Sequence, residues 1–164
     1  MGSEMCIRDR TMEHAEVYEK ITAILEDEDD WVTAMATVVC ELHNSFEHYH
    51  WTGFYRTVSP EVLKIGPYQG GHGCLTITYD RGICGAAART GESQIVPNVH
   101  ERPEHIACSS TTNSEIVIPV KNSSGDVVAV LDVDSDEFDA FSEDDISLAQ
   151  DICEWLGVIY HSNE

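Results

Sequence analysis

Apolar residues recur at helical spacing in three stretches of the chain, and each stretch predicts an amphipathic helix. The first predicted helix runs from Met12 to Leu25. The second follows the acidic residues 26–30, which place negative charge at its amino end. The third begins after Ser142, a predicted N-cap with Asp145 three positions later. The pattern therefore predicts two helices at the start of the chain and one at its end.

Between the second and third helices the apolar pattern changes to alternation, which predicts strands. The predicted strands are residues 51–58, 61–65, 74–78, 115–120 and 126–134. The turn residues 122–125 indicate that the last two strands form an antiparallel pair. A short helix over residues 83–89, ended by Gly91, and a long loop over residues 97–110 precede that pair. Helices packed against one antiparallel sheet define an α+β fold.

The length of 164 residues suits one globular domain. Residues 1–11 show neither helical nor alternating periodicity, and Met12 offers a native start just beyond them. We interpret residues 1–11, with Cys6, as an N-terminal tail or artefact. Residues 12–162 form the predicted domain.

The charge of the chain limits its partners. Its 30 Asp and Glu against 9 Lys and Arg give a formal net charge of -21. Such a surface repels phosphate backbones and anionic lipid headgroups, so we expect neither a nucleic-acid nor a membrane partner. The sequence lacks a membrane-span pattern and a secretory signal pattern, so we expect a cytoplasmic protein. The acidic runs at residues 26–30 and 134–145 are interpreted as solvated faces.

Three cysteines suggest the chemistry. Cys74, Cys84 and Cys108 stand beside glycine, histidine or small residues, where a thiolate can meet solvent or substrate. Cys40 and Cys153 lie on apolar helical stripes and are predicted to pack in the core. Cys74, Cys84 and Cys108 therefore point to thiol redox chemistry.

A zinc site is an alternative use of two of these thiols. His72 and His105 lie close in sequence to Cys74 and Cys108, and the four side chains would supply four ligands. Their spacing is not that of the common zinc motifs. We therefore expect no metal and no bound cofactor.

Six short segments carry a family resemblance. They are WTGFY at 51–55, GPYQG at 66–70, RGICG at 81–85, HIAC at 105–108, NSEIV at 113–117 and VLDVDS at 130–135. In these segments the chain resembles the free methionine-(R)-sulfoxide reductases, which are built on a GAF domain. The likeness covers about residues 14–160. It implies a GAF-like fold with a central antiparallel sheet, and reduction of free L-methionine (R)-S-oxide to L-methionine.

The resemblance also implies roles for the cysteines. Cys108 is the nucleophile and becomes a sulfenic acid, Cys84 and Cys74 are the candidate resolving cysteines, and thioredoxin returns the resulting disulfide to thiols. Cys84 lies near the start of a predicted helix, where a thiolate is favoured. Cys74 follows a flexible glycine loop and could instead swing in. Both pairings stay open, and the disulfide is expected to move between them.

The predicted strands also supply groups for a free amino acid. Asp132 and Asp134 lie two apart on one strand, so both face the same side and form a paired anionic site for an ammonium. Glu115 begins the neighbouring strand, and like-charge repulsion and burial would keep it protonated as the general acid. Trp51 and Tyr55 are expected to enclose the S-methyl group, with Trp51 also supported by the resemblance. Backbone N–H groups at the start of the short helix are expected to bind the substrate carboxylate.

Two other functions compete with catalysis. One is a GAF-type sensor that binds a small ligand without turnover, and the other is a thiol redox switch whose disulfide reports oxidant level. The trio of spaced cysteines favours the enzyme over the sensor. A homodimer through the first two helices is compatible with the sequence, as GAF domains often pair in this way.

Overall fold

A computed structural model describes the backbone of residues 3–161 and the side chains of residues 13–160. The helices in this part of the chain are α1 (Ser3–Ile24), α2 (Trp31–Ser45), α3 (Gly82–Thr90) and α4 (Glu143–His161). The strands are β1 (Trp51–Ser59), β2 (Val62–Gln69), β3 (Thr76–Thr78), β4 (Gln94–Val96), β5 (Ser114–Lys121) and β6 (Val127–Ser135). A turn of 3-10 helix spans Val99–Glu101.

The six strands form one antiparallel sheet in the order β3-β2-β1-β6-β5-β4. The two long central pairings join β1 to β6 and β6 to β5, and the three-residue strands β3 and β4 lie at the edges. This arrangement confirms the predicted α+β fold with helices packed on an antiparallel sheet.

One face of the sheet packs against three helices. Phe54 of β1 and Leu131 of β6 are fully buried with Ile21 of α1, Leu42 of α2 and Ile152 of α4. These helices carry the amphipathic stripes that the sequence predicts. The main hydrophobic core lies in this layer.

The opposite face carries a second, smaller core. Val117 of β5 and Val130 of β6 pack there with Ile83 and Ala87 of α3. Successive side chains of a strand point to opposite faces of the sheet, so the strand residues that alternate with those of the main core point into this second layer. Among the α-helices of the described residues only α3 contributes to this second core, together with Val99 of the 3-10 turn.

Helix boundaries agree with the predicted caps. The Asp30 side chain accepts a hydrogen bond from Thr33 N (2.8 Å) at the start of α2. Ser142 and Asp145 form the predicted reciprocal cap, with Ser142 Oγ accepting from Asp145 N (3.2 Å) and Asp145 Oδ2 accepting from Ser142 N (2.9 Å). Helix α1 begins at Ser3 and not at the predicted Met12. The assignment of residues 1–11 as a tail stays a prediction, because Met1, Gly2 and the side chains of residues 1–12 lie outside the described residues.

Two strand predictions need correction, and one strand was missed. Strand β2 continues to Gln69, past the predicted end at residue 65, because Pro67 occupies an irregularity in its pairing with β1 where proline is tolerated. Strand β3 begins at Thr76, which leaves Cys74 in the preceding loop. Strand β4 was not predicted, since three residues are too few to show a period.

The prediction for Cys40 is wrong. Cys40 lies on the outer side of α2 and is exposed, whereas Val38, Val39 and Leu42 around it are buried. The predicted stripe on this helix is correct, but Cys40 falls just outside it. Cys153 of α4 is buried, as predicted.

The carboxylate of Asp145 is buried at the start of α4, where it joins parts of the chain that are distant in sequence. It accepts hydrogen bonds from His14 Nε2 (2.9 Å), His48 Nε2 (3.0 Å) and Tyr49 Oη (2.8 Å). Burial alone would raise the pKa of Asp145, but hydrogen bonds from His48, His14 and the Ser142 backbone lower it below its usual value of 3.8. The prediction that the acidic run at residues 134–145 is a solvated face is therefore wrong at Asp145.

We expect Asp145→Asn to lower the free energy of unfolding by about 3 kcal/mol, because it leaves buried donors without their charged acceptor. Urea unfolding at neutral pH measures the change. The exposed Glu143→Gln removes the same charge from the same helical turn and should cost about 0.5 kcal/mol or less.

The same carboxylate predicts acid sensitivity. Since the folded protein holds Asp145 ionised to lower pH than the unfolded chain does, its contribution to stability is complete above pH 3.8 and is lost as pH falls below that value. Unfolding curves between neutral and acidic pH should therefore converge for the wild type and Asp145→Asn. Curves that stay separated by the same amount at all pH values would contradict this account.

No helix in the described part of the chain is long and apolar enough to cross a membrane.

Candidate active site

The register of the central strands brings the predicted binding groups together. Asp134 of β6 lies opposite Trp51 of β1 on one side and opposite Glu115 of β5 on the other. One step along the sheet, Asp132 lies opposite Gly53 of β1. These side chains face the layer that α3 covers, because they alternate with residues of the main core. The sheet therefore places an indole ring and three carboxyl groups on one surface.

Helix α3 completes a cavity over this surface. Cys84 in its first turn donates a hydrogen bond from Sγ to Asp132 Oδ2 (3.4 Å). Ile106 from the long loop contacts the same cavity and packs close to Gly82, which begins α3 with a φ of 71° that favours glycine. The space that the centre of a water molecule can reach in this cavity is about 40 Å³, and the figure rises to about 480 Å³ when all empty space and the solvent at the open mouth are counted.

The two cysteines that flank this cavity are joined. Cys74 and Cys108 form a disulfide with their Cα atoms 5.6 Å apart. Cys108 lines the cavity and is exposed to solvent, and Cys74 is half-buried. Cys84 is a free thiol with only 3% of its surface exposed. Of the two pairings left open by the sequence, the structure shows the one between Cys108 and Cys74.

The three carboxyl groups are short of hydrogen-bond donors. Glu115 Oε1, Asp132 Oδ1 and Asp134 Oδ1 are buried and have no hydrogen-bond partner among the described residues. Burial raises the pKa of Glu115 well above its usual value, and the neighbouring Asp132 charge raises it further. Burial also raises the pKa of Asp132, and the charge of Asp134 raises it further. The pKa of Asp134 is raised by burial and by the charge of Glu115. Buried acceptors of this kind favour a ligand that brings donors and positive charge.

The environment of Cys84 differs from the one expected at a helix start. Burial raises the pKa of its thiol well above the usual value, and the charges of Asp132 and Glu115 raise it further. The expected stabilisation of a thiolate by the helix is therefore wrong, because desolvation and nearby carboxylates exceed the helix dipole.

An aromatic wall closes one side of the cavity. The rings of Trp51 and Tyr55 are stacked with their centroids 6.0 Å apart, and Tyr68 stacks on Trp51 at 5.5 Å. Trp51 Nε1 donates a hydrogen bond to Gly71 O (2.9 Å). Since Gly71 precedes Cys74 by three residues, the same indole also holds the loop that carries this cysteine.

All eight side chains predicted for the site meet in this region. Seven of them line the cavity, namely Trp51, Tyr55, Cys84, Cys108, Glu115, Asp132 and Asp134, and the eighth, Cys74, is bonded to Cys108. Sequence reasoning missed the glycines that make room for the wall. A Cβ atom at Gly53 would lie 2.6 Å from Trp51 Cη2, and one at Gly73 would lie 2.9 Å from Trp51 Cζ2. The sequence signal for them was the position of each glycine beside an aromatic or a cysteine.

Comparisons with known proteins agree with this geometry. A family model described as a GAF domain matches residues 26–159. The free methionine-R-sulfoxide reductase of Escherichia coli (strain K12) is 33% identical over 138 residues, which is 83% of this chain and 81% of that protein. The enzyme of that name from Saccharomyces cerevisiae is 43% identical over 98 residues, 58% of this chain and 54% of that protein.

A solved structure extends the match to three dimensions. It is the free methionine-R-sulfoxide reductase of Neisseria meningitidis in complex with its substrate, with a TM-score of 0.87 and 34% identity. The alignment covers 93% of this chain and 91% of that one. This chain belongs to the GAF-domain free methionine-(R)-sulfoxide reductases. The resemblance and the GAF-like fold predicted from the sequence are thereby confirmed.

The structure does not favour the alternative of a zinc site at Cys74 and Cys108. These two cysteines are bonded to each other, so the set with His72 and His105 does not have two free thiols. A different group of metal-ligating side chains lies deeper, formed by Cys84, Glu115 and Asp132.

Proposed function

We propose that this protein reduces free L-methionine (R)-S-oxide to L-methionine, with Cys108 as the nucleophile. The observation that carries the proposal is that the exposed Cys108 shares a cavity with three buried carboxyl oxygens that have no hydrogen-bond partner among the described residues. A free amino acid offers an ammonium to such oxygens, whereas a residue within a peptide does not. The substrate complex of the Neisseria meningitidis relative supports the same substrate.

The substrate is held at three points. Its ammonium binds the oxygens of Asp132 and Asp134, which then regain hydrogen-bond donors. Its S-methyl group lies against Trp51 and Tyr55. Its carboxylate accepts hydrogen bonds from backbone N–H groups at the start of α3, where Gly82 and Ile83 line the cavity.

The chemical step transfers one oxygen atom. The Cys108 thiolate attacks the sulfoxide sulfur, and Glu115 donates a proton to the sulfoxide oxygen as it leaves that sulfur for Sγ. The products are methionine and a Cys108 sulfenic acid, and Glu115 regains its proton from solvent. The raised pKa of Glu115 supports this role, since burial favours the protonated form of the group, which is the form that donates a proton.

The cycle then requires a resolving thiol and a reductant. The Cys74 thiol attacks Cys108 Sγ, water leaves, and the disulfide forms. We propose Cys74 for this role because it is the cysteine bonded to Cys108, whereas Cys84 is a buried thiol of raised pKa. Thioredoxin returns the disulfide to two thiols by exchange and is oxidised in turn. This cycle suits a reducing compartment such as the cytoplasm, and a homodimer stays a prediction.

The aromatic wall yields a prediction about the binding of the substrate. Gly53→Ala should lower kcat/KM by about 10- to 100-fold, because the added methyl group displaces the Trp51 ring and meets Tyr68 Cβ at 2.5 Å. Steady-state kinetics with free methionine-(R)-sulfoxide measures this. Gly71→Ala is the matched control, since its Cβ would have no atom within 4 Å among the described residues. Equal kinetics for the two variants would contradict the role of the wall.

One experiment separates catalysis from the two competing functions. Reduced protein is incubated with each sulfoxide epimer, free and within a peptide, and both methionine release and remaining thiols are counted. We expect one methionine released and two thiols lost per molecule, with the free R epimer alone. A sensor would release no methionine and keep its thiols, and a redox switch would lose thiols to hydrogen peroxide in a parallel sample but not to the sulfoxide.

A further inference from the structure

Cys84 is a nucleophilic side chain that the proposed cycle does not use. Its sulfur lies inside the cavity beside two carboxyl groups, Glu115 and Asp132, each with one oxygen that has no partner among the described residues. All three side chains are more than nine-tenths buried. One sulfur and two carboxyl oxygens form a donor set that zinc and cadmium favour, whereas magnesium and calcium prefer oxygen alone.

The distances suit one bound cation. One ligand atom from each of the three side chains lies within 4.8 Å of the other two, and Cys84 Sγ is 3.4 Å from Asp132 Oδ2. Zinc bonds of about 2.3 Å to sulfur and about 2.0–2.2 Å to oxygen place tetrahedral ligand atoms about 3–4 Å apart. Small side-chain rotations therefore bring the three atoms to bonding positions. All three side chains line the cavity, so a water molecule from the cavity can complete the coordination.

We propose that Cys84, Glu115 and Asp132 bind a thiophilic divalent cation of the zinc class, which excludes the substrate from the cavity. The cation replaces the thiol proton of Cys84 and the protons that the carboxyl groups carry, and these protons are released to solvent. No bond to Cys74 or Cys108 is needed. The cation therefore binds both the dithiol and the disulfide form of the protein.

The competition with substrate has a simple electrostatic basis. The ammonium of methionine sulfoxide and the cation would both use the carboxyl group of Asp132, so the two exclude each other. This part of the inference depends on the proposed substrate position, whereas cation binding itself does not. The two parts therefore fail separately in an experiment.

The test uses cadmium chloride alone as the probe and the disulfide form of the full chain as the protein. In this form Cys74 and Cys108 have no thiol to offer, and serine at Cys6 and Cys40 removes two further thiols. The ultraviolet charge-transfer absorption of a cadmium–thiolate bond then reports on the two cysteines that remain, Cys84 and Cys153. We expect the absorption to saturate at one cadmium ion per chain and to vanish on addition of a chelator.

Two thiol variants locate the ligand. Cys84→Ser should abolish the absorption, and the matched control Cys153→Ser, in the main core, should leave it unchanged. Loss of a group that only supports a metal ligand typically weakens metal affinity by roughly 10- to 100-fold. Because Asp132 is itself a proposed ligand, Asp132→Asn should weaken cadmium binding by at least as much. Absorption that persists in Cys84→Ser, or affinity unchanged in Asp132→Asn, would overturn the site.

A second measurement avoids dependence on a folded Cys84 variant. In the protein with native Cys84, cadmium should slow alkylation of this thiol, followed by mass spectrometry, and a chelator should reverse the effect. Free methionine-(R)-sulfoxide, which the disulfide form does not reduce, should weaken cadmium binding in the same samples. Alkylation at an unchanged rate would overturn the cation site, whereas protection without competition from the sulfoxide would overturn only the exclusion of substrate.

Discussion

Replacing Cys108 with serine should lower methionine production by at least about 10³-fold, because a serine hydroxyl is not ionised near neutral pH and does not accept the sulfoxide oxygen. The assay counts methionine released from the free R epimer with a small dithiol as reductant. The small reductant removes any dependence on docking of a protein partner. Activity retained in Cys108→Ser would exclude the proposed mechanism.

The other cysteines give matched controls for this result. Cys40→Ser makes the same chemical change at an exposed position on α2 and should leave activity unchanged. Cys74→Ser without reductant should release one methionine per molecule and stop with a sulfenic acid at Cys108, which a sulfenic-acid reagent would label. Cys84→Ser should also release at least one methionine. These outcomes distinguish the nucleophile from the resolving thiol.

Replacing Glu115 with glutamine should lower kcat by about 10²- to 10⁴-fold, because an amide has no acidic proton to give to the sulfoxide oxygen. Glutamine preserves the shape of the side chain and removes a buried carboxyl group, so we expect the stability of the fold to be retained. Stopped-flow or steady-state rates measure kcat, and thermal unfolding checks the fold.

A control is available for the change in charge. Glu137→Gln makes the same substitution at an exposed position just beyond β6 and should leave kcat unchanged. If Glu115→Gln keeps the wild-type kcat, the proton comes from another group, and the assignment of Glu115 as general acid is wrong.

The sequence predicted the site well where local pattern determines position. Asp132 and Asp134 face the same side because strand residues two apart always do, and the turn at residues 122–125 joins their strand to that of Glu115. Trp51 meets this pair because β1 lies beside β6, which the family resemblance supported but no local pattern could show. The shared cavity therefore depended on both kinds of information.

The errors arose where burial depends on contacts distant in sequence. Asp145 looked like one more member of an acidic run, yet His14 and His48 approach it from other parts of the chain and remove it from water. Cys40 looked buried because its neighbours in sequence are, but the helix turns it outward. Cys84 was correctly placed at the start of a helix, whereas the depth of its cavity was not visible in the sequence.

The hydrogen bond from the Trp51 indole to Gly71 has a consequence for the timing of the reaction. The indole touches the cavity with its ring and the Cys74 loop with its N–H group, so any rotation of the ring shifts both. We therefore expect filling of the cavity to be coupled, through this indole, to the distance between Cys74 and Cys108 in the proposed cycle.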